Sequence, residues 1–291
     1  MIKVKVPATS ANLGVGFDCM GVALRMYSYF TFEECDHFVI SGCDSRFADK
    51  NNLVYQAFLY GLKHLKQPVV DNIHIHIDNT VPVSRGLGSS ATCVVAGLMA
   101  AYAYSEKVID KAMILKLATA LEGHPDNVAP AIFGSICVSC LEDNEVYCEV
   151  VKVANNINFQ VLIPDFETKT EAMRKVLPEE VTFKDAVYNS SHLGVAIKAF
   201  ENGELNILNK VLKDRLHEPY RKQLIDEYSQ VKEICESIDS VAFLISGSGS
   251  TLLNLIADTD NADLINHKLA SLEHHWQSSV LKVDECGAQI C

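Results

Sequence analysis

The sequence predicts a mixed helix-and-strand protein built in two halves. This follows from three features. In residues 72–78, Ile73, Ile75 and Ile77 alternate with polar residues, which is the period of a half-buried strand. Residues 93–104 are apolar and rich in Ala, Leu and Met, which suits a buried helix. Near residues 142–158 the composition turns polar, through Glu142, Asp143 and Asn144 and then Asn155 and Asn156. That shift divides the chain into 1–150 and 151–291, and 291 residues suit one large or two medium domains.

The elements can be taken in order. Residues 2–6 alternate as a strand. Residues 7–18 are small, polar and glycine-containing, and a loop this long is usually functional. Asn12 and Asp18 are its groups suited to a hydroxyl or a cation; turn formation is the alternative. Residues 19–24 are apolar and 27–33 strand-like. Residues 53–65 read as an amphipathic helix with Asn52 as N-cap. His74 and His76 fall on the polar face of their strand, as solvated groups. A helix runs from Asp110 to about Leu121. Residues 122–127 then gather Glu122, His124, Asp126 and Asn127, with Pro125 fixing the backbone. They form either a capped helix start or a polar cluster facing a ligand. Residues 133–141 predict a strand. In the second half, 159–163 predict a strand, and 168–177 a short helix carrying Thr170 and Arg174 one turn apart. Residues 183–202 and 205–212 predict helices, 214–221 a charged connection and 222–237 an amphipathic helix. Residues 241–256 read as two strands around a tight glycine turn, 262–276 as a helix and 280–283 as the last strand.

The organising stretch is the loop Pro82, Val83, Ser84, Arg85, Gly86, Leu87, Gly88, Ser89, Ser90, Ala91 and Thr92. It joins the isoleucine strand to the apolar helix. Gly86 and Gly88 allow sharp turns and close backbone approach to a ligand. Ser89 and Ser90 offer caps and hydroxyls. The helix start behind them, with its free N–H groups and positive dipole end, suits phosphate. The common P-loop pattern is absent, since no Gly-Lys pair occurs.

Composition excludes several classes. A net charge of −12 argues against a broad basic surface for nucleic acid. No apolar run reaches the ~18 residues of a membrane span. The N-terminus reads as a strand, not a signal peptide. Ten scattered cysteines lack disulfide-rich spacing, which predicts reduced thiols and a cytoplasmic location. Cys137 and Cys140 lie on a predicted strand, facing opposite ways. The chain does not fix an oligomeric state, and a homodimer is among its options.

Four stretches then line up with one family. Pro7-Ala-Thr-Ser-Ala-Asn-Leu-Gly-Val-Gly-Phe-Asp18, Arg85-Gly-Leu-Gly-Ser-Ser-Ala91, Glu122-Gly-His-Pro-Asp-Asn-Val-Ala-Pro130 and Ser246-Gly-Ser-Gly-Ser-Thr251 resemble the motifs of the homoserine kinases, within the GHMP small-molecule kinases. The resemblance spans nearly the whole chain. It implies an α+β, two-domain GHMP kinase fold. The N-terminal domain would be ribosomal-protein-S5-domain-2-like and the C-terminal one ferredoxin-like. It implies ATP, Mg²⁺ and phosphoryl transfer to the side-chain hydroxyl of L-homoserine, in threonine biosynthesis. Residues 82–92 would bind the nucleotide. Ser90 would ligate Mg²⁺, with Glu122 as the carboxylate, because counting back to the wider family's metal-binding glutamate lands on Lys116. Asn12 and Asp18 would orient the substrate hydroxyl, Asp18 being the nearest candidate base. His124, Asp126 and Asn127 would hold the amino acid near the γ-phosphate. Thr170, Arg174 and Arg221 match family substrate contacts, and the two arginines would clamp the carboxylate, with Arg215 as their competitor. Ser248 and Ser250 depart from the family's Ala and Pro in the last motif. The rivals are a GHMP kinase for another alcohol and a nucleotide-binding regulator without catalysis.

Overall fold

The computed structural model describes residues 1–238 and 240–291. The first half comprises β1 (Ile2–Ala11), β2 (Met20–Glu34), β3 (Val39–Ser41), α1 (Leu53–His64), β4 (Ile73–Asn79), α2 (Ser89–Tyr104), α3 (Lys111–Glu122), α4 (Val128–Phe133), β5 (Ile136–Glu142) and β6 (Glu145–Val151). The second comprises β7 (Asn158–Pro164), α5 (Thr170–Lys175), α6 (Phe183–Asn202), α7 (Leu205–Val211), α8 (Glu218–Arg221), α9 (Tyr228–Glu236), β8 (Ala242–Ile245), β9 (Leu252–Ile256), α10 (Asn261–Leu269), β10 (Trp276–Leu281) and β11 (Gln289–Ile290).

Two sheets result. The first has seven strands in the order β11-β1-β2-β4-β3, with β5 on β2 and β6 on β5. The fifteen-residue β2 holds it together, pairing along β1, with β5 at its start and β4 at its end. The second sheet has the order β10-β7-β9-β8, every pair antiparallel, with helices in the crossovers. That is the ferredoxin-like arrangement, and the whole is α+β.

Burial explains the main elements. Ile73, Ile75 and Ile77 point into a core shared with Val94, Val95, Leu98 and Met99 of α2 and Phe58 of α1. Each such side chain contributes about 1.5–3 kcal/mol by leaving water. Asn52 caps α1 by accepting from Val54 N–H at 3.0 Å, and Asp110 caps α3 from Met113 N–H at 3.0 Å. A second core joins the sheets, with Ala8, Met20 and Leu24 against Phe159, Val161 and Leu253.

Several expected boundaries move. β1 runs on through residues 7–11, which looked like loop. Ala8, Thr9, Ser10 and Ala11 are fully buried, and their small size lets the loops above pack close. Residues 20–34 form one strand, and α2 starts at Ser89. Residues 222–237 hold a shorter helix, α9, and Trp276 opens a strand, not a helix end. We propose the division 1–150 and 151–291 with one amendment: β11 returns to pair with β1. His74 and His76 both contact Ser41 Oγ, at 2.7 and 2.9 Å. Cys137 is buried and Cys140 exposed. Among the described residues, no helix is long and apolar enough to cross a membrane.

The expected charged connection, residues 214–221, is largely interior. Asp214 accepts from the N–H groups of Leu216, His217 and Glu218, at 2.9, 2.7 and 2.9 Å. Glu218 accepts from Ile245 N–H at 2.9 Å, which ties α8 to β8. Burial pushes the Glu218 carboxyl up from 4.5 to about 8. The folded protein therefore holds a proton there that the unfolded chain loses above its ordinary value, so this group's contribution to stability falls as pH rises from 4.5 to about 8. Glu218→Gln removes that dependence. Thermal melts at pH 5, 6.5 and 8 should show the variant improving steadily relative to the wild type; a constant difference would refute the burial effect.

Candidate active site

Three glycine-bearing turns meet between the sheets: residues 12–18 after β1, 82–88 before α2 and 246–250 between β8 and β9. Backbone bonds stitch them together. Thr9 N–H donates to Leu87 O at 3.1 Å, Gly247 N–H to Ala11 O at 3.0 Å and Thr251 N–H to Arg85 O at 3.1 Å. The Ser246 hydroxyl donates to Gly86 O at 2.6 Å. A cavity of about 860 Å³ opens over this seam.

Gly86 and Gly88 have φ of 75° and 70°. A Cβ on Gly86 would stand 2.2 Å from Ser246 O, and one on Gly88 2.0 Å from Thr9 Oγ1. Packing of protein on protein therefore requires these glycines, a reason beyond the sharp turn and ligand approach read from the sequence. Gly88 occupies the N-cap position of α2 without a side-chain cap, so Ser89 and Ser90 are first-turn residues and not caps. The first-turn N–H groups are left available to an anion, with the dipole of a sixteen-residue helix behind them. Val83, Ser84, Arg85, Gly86, Gly88, Ser89, Ser90 and Ala91 line the cavity; Pro82, Leu87 and Thr92 do not. Pro82 stands at the loop entry. Leu87 is fully buried beneath it, and Thr92 Oγ1 donates to Ser89 O at 2.8 Å. Arg85 is spent on the second half, donating to Pro164 O and Asp165 O and pairing with Glu167 at 3.2 Å.

Ser90 Oγ donates to Glu122 Oε1 at 2.5 Å on the cavity wall. Burial raises the Glu122 carboxyl from its ordinary value, and the Ser90 hydrogen bond works against that. These are hard oxygen donors, and Mg²⁺ in phosphate sites takes one or two carboxylates beside phosphate and water, so the pair fits such an ion. Lys116 lies outside the cavity and pairs with Glu145 at the surface.

Asn12 and Asp18 both adopt positive φ, 58° and 54°. Asn12 Oδ1 accepts from Asp18 N–H at 2.8 Å, and its Nδ2 donates to Gly247 O at 3.0 Å. Asn12 thus braces the turn and holds Asp18 at the cavity. Arg174 pairs with the Asp18 carboxylate at 3.2 and 3.4 Å. Thr170 Oγ1 lies 3.3 Å from Ser248 Oγ. Asp126 is buried and sits 2.5 Å from His124 Nδ1, a bond that raises the imidazole above its usual value. Asn127 Oδ1 accepts from Thr9 Oγ1 at 2.8 Å; Asn127 stands at the N-cap position of α4 without a side-chain cap bond, and Glu122, His124, Asp126 and Asn127 all line the cavity.

Arg221 is 1% exposed. Its Nε donates to Met173 O at 3.1 Å and Nη1 to Gly247 O at 3.0 Å, while Nη2 has no partner among the described residues. Arg215 instead pairs with Asp185 at 3.3 Å and stacks over Tyr188, outside the cavity. The sequence missed two parts of the site. Cys43, Phe47, Leu53, Ile77 and Cys93 form an apolar part of the lining; they come from separate segments, so no sequence spacing groups them. His217 is wholly buried, stacked on Phe17 and 3.4 Å from Arg221 Nη1. Burial pushes its imidazole down to about 4, so it is neutral beside the guanidinium.

Fold and site together define a small-molecule kinase of the GHMP type. Two family models match accordingly, "GHMP kinases N terminal domain" over residues 52–135 and "GHMP kinases C terminal" over residues 196–274. The chain belongs to the homoserine kinase family. It is 39% identical to the homoserine kinase of Clostridium botulinum over 100% of this chain and 98% of that protein. It is 37% identical to that of Clostridium beijerinckii, with the same coverage. The crystal structure of homoserine kinase from Cytophaga hutchinsonii superposes with a TM-score of 0.90 at 25% identity, covering 100% of this chain and 97% of that one.

Gly88→Ala should test the packing role of the loop glycine. Positive φ costs a non-glycine residue about 1–2 kcal/mol, and the contact with Thr9 adds to it. We expect a lower urea midpoint without nucleotide, partly recovered by adding Thr9→Ala. An unchanged midpoint in Gly88→Ala would remove the packing role.

Proposed function

We propose that the chain transfers the γ-phosphoryl group of ATP to the side-chain hydroxyl of L-homoserine, giving O-phospho-L-homoserine. The supporting observation is one cavity that joins an anion-binding helix start to Asp18, Arg174 and Arg221. Phosphoryl transfer depends mainly on positioning and charge neutralisation. The first turn of α2 and residues 83–91 hold the triphosphate. The apolar wall around Phe47 and Leu53 takes the base. Ser90 and Glu122 would hold Mg²⁺, which supplies charge neutralisation at the phosphates. Asp18 accepts a hydrogen bond from the substrate hydroxyl and aims it; Asn12 fixes Asp18. His124, Asp126, Asn127 and Thr170 border the amino acid. Arg174 and Arg221 take its carboxylate, since guanidinium can bind carboxylate bidentately. The reaction is placed in the cytoplasm and in threonine biosynthesis.

Asp18→Asn keeps the shape but loses the basic carboxylate. Steady-state kinetics should show kcat falling about tenfold or more with ATP affinity little changed. An effect on homoserine KM alone would make Asp18 a binding residue. Arg174→Lys is the cleaner test of the clamp, because Arg221 also holds Met173 O and Gly247 O. Losing a charge-assisted bond should raise homoserine KM roughly 10- to 150-fold and leave ATP affinity unmoved. A coupled ADP-release assay comparing homoserine with 3-aminopropanol tests the substrate itself. Equal rates would leave no carboxylate clamp and no homoserine assignment.

A further inference from the structure

A second cavity, of about 520 Å³, lies among α7, α8, α9 and β8 and shares no lining residue with the first. Two of its polar side chains are more than nine-tenths buried yet incompletely bonded. Glu218 is 9% exposed; Oε1 accepts from Ile245 N–H, while Oε2 has no partner among the described residues. Tyr228 is 7% exposed, and its hydroxyl has no partner among them either. Neither oxygen is closed off from solvent, so each is a hydrogen-bonding group that a ligand in the cavity can reach.

The charges around them favour an anion. Lys213, Lys222 and Lys232 line the same cavity. Lys213 and Lys222 have no carboxylate partner among the described residues, and Lys232 lies 3.7 Å from Glu236. The other carboxylate, Asp214, is already occupied by three backbone N–H groups and Asn189 Nδ2. Burial keeps the proton on Glu218 at neutral pH, so its carboxyl can donate. Three ammonium groups thus line the cavity beside the carboxyls of Asp214, Glu218 and Glu236, on a chain whose net charge is −12. We propose that this cavity binds a small organic oxyanion, a carboxylate or a phosphomonoester. Its oxygens take hydrogen bonds from Tyr228 and the Glu218 carboxyl, and ion pairs from Lys213, Lys222 and Lys232.

Calorimetric titration of the full chain tests this directly. The protein is first saturated with homoserine and a non-hydrolysable ATP analogue, which removes the first cavity as a competing anion site. Inorganic phosphate and succinate are then titrated in separate arms at pH 7. We expect saturable one-site binding of at least one probe. Stronger phosphate binding assigns a phosphomonoester, and stronger succinate binding a carboxylate. Lys222→Gln with Lys232→Gln should weaken it about tenfold or more, and Tyr228→Phe should weaken it less. The kinase kcat of the double variant should match the wild type. Absence of saturable binding for both probes, or unchanged affinity in the double lysine variant, would overturn the proposal.

Discussion

The active cavity is organised around one peptide carbonyl, that of Gly247. It accepts from Asn12 Nδ2 and from Arg221 Nη1, each at 3.0 Å. A carbonyl has two lone pairs, and both are used here. One donor comes from the turn after β1, the other from α8, and the acceptor from the turn between β8 and β9. Asn12 passes the constraint on, because its oxygen holds the Asp18 N–H. The carboxylate proposed to aim the hydroxyl and the guanidinium proposed to hold the carboxylate are thus referenced to one atom. The bond from Arg221 is charge-assisted and buried, which makes it the stronger of the two.

The two guanidiniums differ in freedom. Arg221 is locked by carbonyls inside the protein. Arg174 reaches in from a short helix, and its pair with Asp18 is 43% and 36% exposed. Pairs at such exposure are worth little, so Arg174 can exchange partners at small cost. One fixed and one exchangeable cation suit the proposed reaction, in which the cavity first accepts a zwitterionic molecule and Asp18 is then left to aim its hydroxyl.

The motifs were legible because they pack glycines and charged side chains into short stretches that ordinary turns do not need. Asn12, Asp18, Ser90, Glu122, Asp126, Arg174 and Arg221 all reach one cavity. What was not legible depended on distant partners. Residues 8–11 looked like loop because small residues carry no strand pattern, yet they lie at the centre of two packed sheets. The 214–221 segment read only as a charged connection; its burial was hidden because the Asp214 carboxylate is satisfied by backbone groups that no sequence spacing reveals. β6 is an edge strand whose alternation of Val146, Cys148 and Val150 is obscured by acidic neighbours. The turn at Gly88 was legible, but its packing role was not, because Thr9, the residue a Cβ there would meet, lies far away in the sequence.

The return of β11 has a consequence for how the molecule is made. Val4 pairs with Ile290 and Lys5 with Gln289, so the outer edge of β1 is covered only once β11, far along the sequence, has been made. Until then that edge presents unpaired backbone groups, the kind of surface on which nascent chains join one another. The pairing is also among the most non-local a chain can make, and such contacts form slowly. The preceding segment reinforces it: Ser135 N–H donates to Asp284 O and Ala288 N–H to Ala131 O. Closure of the first sheet is therefore a late event in the making of this fold.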